Sequence, residues 1–515
     1  MKNPKGSILT LTLAFMLVFT ILGVSAIYLS GLRSDATGRQ IAQNQAFWVA
    51  EAGLASATEK LRLDSANGLT VPDTLAPLSL SVSSVDGSGE YSWQAGDPEA
   101  NDNDPSGLQY FSRNYTITST GTKNEASVTL NQDLERQRIF IFQFAVFYED
   151  DLELLPGQPM TLTGRIHSNH DIYIGSNGST LTINSNYLHT VGNIYNKRKD
   201  GDSLDADGRV LINNQAMQLS GEAAPLDSER ADWATESQNR WGGTVQSGVH
   251  GISRIELPIL QSIQPGGYYD TKAREAGLKI ENTTVYFNGA VVTLPASIIK
   301  NDSFFDAREN KDITVTTIDL DKLSDSGYFP QNGLIYATRT DATPSQPNGI
   351  RLTNGSELPA NLTVVSNDPV YVQGDYNKLN KKSAAIICDA INILSNNWKD
   401  NTQANNRVAT DTEVNAGFIA GIKPTQDSQY SGGVENYLRF LENWTNKTLT
   451  VRGSFIELGA SKIATGDWHY GMPYYVAPNR NWDYDSLFNN SDNMPPFTPF
   501  GIKISKGAWS QSSAE

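Results

Sequence analysis

The sequence has a single cysteine, Cys388, so no intrachain disulfide can form, and its setting in "SAAIICDAINIL" reads as a buried strand where the thiol packs as a small hydrophobe. Basic charge is also scarce. There are 40 Lys and Arg against 56 Asp and Glu, a net charge of -16, and Lys197, Arg198 and Lys199 form the one short basic run. That balance argues against a phosphate-tracking surface and so against nucleic acid as a partner. The chain has no G-x-x-x-x-G-K-[ST], no Rossmann glycine pattern and no Gly-x-Ser-x-Gly on a strand-to-helix turn, which leaves a motor ATPase or a serine hydrolase without support. Hydrophobic residues make up 39% of the chain, too many for disorder and too few for a polytopic membrane protein. With 42 Gly and 22 Pro among many Asn, Asp, Ser and Thr, the composition points to turn-rich β structure. A length of 515 residues predicts two or three domains.

Charge is missing altogether from Ser7 to Leu32. Those 26 positions would cover roughly 39 Å as a helix, more than a bilayer core of about 30 Å. Lys2 and Lys5 precede the run and Arg33 and Asp35 follow it, so the positive-inside bias puts the N-terminus in the cytoplasm and the bulk of the chain outside. The competing reading is a secretory signal cut after Val24-Ser25-Ala26. Against it, the apolar run continues through Ile27, Tyr28, Leu29 and Leu32. Beyond the run, Phe47, Ala50, Leu54, Ala57 and Leu61 recur at helical spacing, the seam of a helix packed on another surface. The helix is predicted to continue to about Arg62, weakened locally by Gly31, Gly38 and Gly53 and stopped by Asn67-Gly68.

The segment "KGSILTLTLAFMLVFTILGVSAIYLSG" followed by "QAFWVAEAGLASA" resembles the N-terminal region of PilX-type minor pilins and pilus-assembly proteins of type IV filament systems. Two features carry the resemblance: a short basic leader ending in Gly6, and the run Ala46, Phe47, Ala50, Glu51, Ala52, Gly53 and Leu54. It implies a leader, residues 1–6, cut by prepilin peptidase between Gly6 and Ser7, and partners among other pilin-like subunits at the inner membrane. Major pilins begin, once cut, with Phe and carry Glu four residues on, where this chain has Ser7 and Leu11.

After the span, residues 7–32, the strands "LSLSV", "EYSWQ", "NYTITSTG" and "ASVTLNQ" alternate between turn signals, with Tyr115 and Ile117 facing Ala126, Val128 and Leu130 in a hairpin. A helix on a small antiparallel sheet, resembling the pilin roll, is expected over 33–136. From "RIFIFQFAVFYEDDLEL" onward, short strands punctuated by Gly and Asn predict a large β-rich domain over 137–501. A parallel β-solenoid fits it best, with a β-sandwich as the alternative. Insertions are expected near 196–248 and 397–413, an amphipathic helix in "GGVENYLRFLENW", and a polar tail over 502–515. This distal part also resembles a domain of unassigned function in large PilX-type proteins. The fold class is thus α+β, mostly β.

Candidate chemistry is sparse. His167 and His170 form an H-x-x-H near Asp171 and His189, but alternating strand faces and turns account for them, and no metal site is expected. "DGDSLDADG", with Asp200, Asp202, Asp205 and Asp207, lacks the spacing of an EF-hand, which leaves calcium as a minor alternative and no cofactor as the expectation. No motif draws two carboxylates across a cleft, so the chain is not expected to be an enzyme. Trp444, Trp468, Tyr470, Tyr474, Tyr475 and Trp482 fit either core packing or a sugar- or surface-binding patch, with packing favoured. The function expected is a structural component of a type IV pilus or related secretion filament, in assembly, initiation or tip display. A membrane-anchored adhesin or carbohydrate-binding protein is the alternative.

Overall fold

The computed structural model describes residues 7–66, 71–200, 209–257, 266–426 and 431–513. One helix, Ser7–Ala66, runs through 60 residues without a break. Its glycines do not interrupt it, because Gly23, Gly31 and Gly38 stand in open surroundings on an otherwise good helix former. Hydroxyls within the apolar half are satisfied locally, with Thr12 Oγ1 donating to Ile8 O at 2.9 Å and Thr20 Oγ1 to Met16 O at 2.7 Å.

The C-terminal half of this helix lies on an antiparallel sheet. The strands Thr74–Val82, Gly87–Ala95, Gln109–Lys123 and Ala126–Phe140 pair in sequence order, and Ala100–Asn103 adds to the third. The two expected strands do form a hairpin, but in another register: Tyr115 stands opposite Leu134 and Ile117 opposite Gln132, while Ala126, Val128 and Leu130 stand opposite Lys123, Gly121 and Ser119. A further strand, Phe500–Ser513, completes the sheet beside Ala126–Phe140. The region expected to be a polar tail over 502–515 is therefore a strand as far as residue 513. Its Ser, Lys and Gln content reads as a tail because one face and the outer edge of the strand meet solvent. The helix-and-sheet unit consequently extends past 33–136, and the large β-rich part is an insertion between two neighbouring strands.

In that insertion most strands stack in parallel and in register, and antiparallel hairpins occur at Leu278–Glu281 with Thr284–Phe287 and at Ile299–Asp306 with Lys311–Asp319. Leu152 pairs with Ile172 and Ile172 with Ile194; Met160 pairs with Leu181 and Leu181 with Val210. The step from rung to rung is about 20 residues where no loop intervenes. One buried column passes through Leu278, Ile335, Val364, Ile386, Phe418, Phe455, Val146, Ile166, Leu188 and Val245. Its order shows that the chain enters the stack in the middle. From Phe144–Tyr148 it winds one way to Val245–Gln246, crosses to Leu278–Glu281 at the opposite end, and winds back until Thr448–Ala460 docks on Phe144–Tyr148. Asn282 and Asn310 take positive φ in the hairpin turns, Asn354 takes it at a register shift inside Gly349–Glu357, and Asn380 takes it just after Val370–Leu379, each where the backbone must turn sharply.

Two further local expectations differ from the structure. Within 196–248, Arg209–Ile212 is no insertion, since it pairs in parallel with Thr180–Ile183. The amphipathic helix in "GGVENYLRFLENW" is instead a single 3-10 turn, Val434–Asn436, followed by the strand Arg439–Phe440. There the apolar residues at helical spacing are all buried between neighbouring rungs, and parallel pairing with Asn392 and Ile393 outweighs helix periodicity. An α-helix does pack beside the end strand Val245–Gln246. It is Trp233–Trp241, whose two tryptophans are buried with ring centroids 6.2 Å apart. The loop 397–413 is anchored by Trp398, buried under the Arg407 guanidinium at 4.4 Å.

Candidate functional site

The N-terminal half of the long helix presents apolar side chains to its surroundings along its whole length, from Ile8 to Leu32. This stretch is long and apolar enough to cross a membrane. Gly6, Lys2 and Lys5 lie outside the described residues; Ser7 is the first residue of the helix.

Further along, Ala50, Leu54, Ala57 and Leu61 are buried against the chain's own sheet, among Trp93, Tyr115, Ile117, Val128, Leu130 and Leu134. Phe47 is half-buried at the flank of this seam, 6.5 Å from the Trp509 ring. Sequence periodicity missed Ala46, Val49 and Gly53, which are buried too. It also missed why the positions are small. A Cβ on Gly121 would lie 2.1 Å from Ala46 O, and one on Gly53 would lie 2.0 Å from Ser119 Oγ. Helix and sheet backbones thus approach as closely as chain geometry permits. Trp48, on the helix flank, is 61% exposed.

His167 and His170 do not converge. His167 is a ladder residue, paired with Phe147 on one side and His189 on the other, and stacked on the Phe147 ring at 5.0 Å. Burial pushes His167 down to about 3 and His189 down to about 4, so both stay neutral. His170 faces outward and bonds Asp151, which raises its pKa. Asp151, His170 and Asp171 bring ligand atoms within 4.8 Å of one another, but Lys199 Nζ already lies 2.8 Å from Asp151 Oδ2. In the acidic run, Asp200 pairs with Arg198 at 2.6 Å; Asp202, Asp205 and Asp207 lie outside the described residues.

The aromatic group divides in two. Trp444 and Trp482 are core residues, Trp482 stacked on Phe455 at 5.1 Å, and Tyr474 is half-buried against the same core. Trp468, Tyr470 and Tyr475 line a cleft of about 430 Å³, Tyr475 from within that core, Trp468 half-buried against it and Tyr470 exposed. The cleft opens where the two winding directions meet. On one side are the corner residues Leu155, Gly157, Gln158, Asn177 and Arg198; on the other are Glu435, Asn436, Ala477 and Arg480 beside the three aromatics. The indole of Trp468 donates to Tyr475 Oη at 2.8 Å, and Tyr475 Oη donates to Asn436 Oδ1 at 2.7 Å, which fixes both rings. The crowd of aromatics in "DWHYGMPYY" signalled this wall in the sequence. Gln158, Asn177 and Arg198 carry no such signal, because they come from three successive rungs.

No protein-family model matches the chain, and no curated protein matches it. Among solved structures, the crystal structure of the competence-associated pilin ComZ from Thermus thermophilus is similar to 92% of this chain and 98% of that chain, at 12% identity and a TM-score of 0.29. A superposition that loose carries no argument about this chain's function.

Proposed function

We propose that the chain is a minor, pilin-like structural component of a type IV pilus or related secretion filament, acting in assembly, initiation or tip display and not in catalysis. The observation that carries this reading is the division of labour along one helix. Its first half is apolar and exposed, buried against no other described element, while its second half is fixed to its own sheet by small residues. A helix held in that way can leave a bilayer and exchange lipid for neighbouring helices without unfolding the head it carries. The N-terminus then lies in the cytoplasm, cut by prepilin peptidase between Gly6 and Ser7, and the bulk of the chain outside the inner membrane. The parallel, in-register ladders support a β-solenoid for the inserted part. Its bulk favours the end of a filament over its length. The reading requires no cofactor.

Two measurements test it. N-terminal mass spectrometry of the membrane fraction is expected to find a chain starting at Ser7, whereas a chain starting at Ile27 would lack the span and exclude the proposal. Immunogold labelling of sheared filaments is expected to mark their ends. Label confined to the cell envelope would favour the alternative, an anchored adhesin that enters no filament.

A further inference from the structure

We infer that the cleft between the two winding directions is a carbohydrate-binding site that takes a pyranose ring of a glycan. The inference rests on the cleft alone and stands whether or not the chain enters a filament. A volume of about 430 Å³ lies within the range of small-molecule sites. Its wall combines two features that packing does not account for. Tyr470 is 59% exposed although a partly buried ring would be cheaper, and its plane lies 29° from that of Trp468 with centroids 6.4 Å apart. The two near-parallel rings both line the cavity as an aromatic platform. Trp468 cannot swing away, because its indole nitrogen is tied through Tyr475 to Asn436.

Opposite and around this platform are amides and guanidinium groups. Gln158 and Asn177 are exposed at successive corners. Arg480 is held in place by donating to Glu435 O at 3.1 and 2.7 Å while its guanidinium lies 5.4 Å from the Trp482 ring centre. A pyranose has a C–H face that stacks on an aromatic ring and a rim of hydroxyls that donate to and accept from amides and accept from guanidinium groups. An acyl chain would offer no polar partner to the exposed amides of Gln158 and Asn177. A single-stranded nucleic acid could also stack on the rings, but it needs a basic track. The chain carries a net charge of -16, and Arg198 is already in a two-point pair with Asp200 at 3.1 and 2.6 Å.

The test titrates the full chain in detergent with maltotriose, chitotriose and a hyaluronan tetrasaccharide, read by calorimetry and tryptophan emission, with oligothymidylate as the comparison. At least one sugar is expected to bind saturably. Tyr470→Ala is expected to weaken that binding about tenfold, and Tyr470→Phe, which keeps the ring, to change it by less than about twofold. Because Tyr470 is exposed, both variants should melt at the wild-type temperature. Failure of all three sugars, binding unchanged by Tyr470→Ala, or binding of oligothymidylate alone would each overturn the assignment.

Discussion

Glu153 shows what a single side chain can do to the whole. Its carboxyl is buried, one oxygen bonded to the Thr425 hydroxyl and the other, Oε1, without a donor among the described residues. Burial pushes its pKa up to about 7; the Thr425 bond and Lys199 oppose the rise and Glu435 adds to it. An unfolded glutamate titrates near about 4.3, so the folded state keeps a proton that the unfolded chain has lost. The stabilisation is complete below that value and disappears as pH rises through 7. Asp368, also pushed up to about 7 by burial, acts in the same sense, whereas the depressed values of His167 and His189 act only below about 6.5. The melting temperature is therefore expected to fall between pH 6.5 and 8, and Glu153→Gln to flatten part of that slope; a wild-type profile level across the interval would contradict the account. At Gly121 the sign is simpler. Gly121→Ala should cost about 1–3 kcal/mol, because the new methyl meets helix backbone that cannot yield. Hydrogen exchange should accelerate over Ala46–Leu61 and stay unchanged in the rungs. Periodicity shows which helix face is buried, and Ala50, Leu54, Ala57 and Leu61 were legible on that basis. It does not show how close the partner comes, and so Gly121 passed as an ordinary strand glycine.

The elements were legible to the extent that their signals are local. The apolar span, the Tyr115 hairpin apart from its register, and the short strands with Asn in their turns all announce themselves within about a dozen residues. Pairings across the chain do not. Phe500–Ser513 looks like a tail because its partner strand, Ala126–Phe140, lies hundreds of residues earlier, and "GGVENYLRFLENW" looks helical because burial between rungs imitates a helix seam. The same pairing gives a direct experiment. Phe140 stands opposite Phe500, with ring centroids 4.3 Å apart, so two residues can bridge the gap left by the insertion. Replacing residues 141–499 by Asn-Gly is expected to leave a membrane-extractable helix-and-sheet protein with a cooperative melt. Aggregation of this product, with no folded fraction after extraction, would show that the sheet depends on the insert.

At the scale of the whole molecule, the sequence revealed an apolar helix and a β-rich mass but not their order of connection, because about 20-residue rungs interrupted by loops leave no strict repeat. The chain starts its stack in the middle, and Phe144–Tyr148 has an unpaired edge until Phe455, Ile456 and Glu457 arrive. Refolding should accordingly be slow, as expected when long-range parallel pairing comes last. Truncation at residue 447 is expected to leave the first rungs open to proteolysis, and protease resistance equal to the full chain would argue that the two windings fold independently. The insertion also fixes how the molecule bears tension. Its two ends leave the sheet side by side, so a pull between the helix and the sheet bypasses the stack entirely. A tug on the stack, by contrast, enters Ala126–Phe140 and Phe500–Ser513 together at their shared end. Strands 15 and 14 residues long are then loaded lengthwise, in shear, and many hydrogen bonds must fail at once where peeling would break them singly.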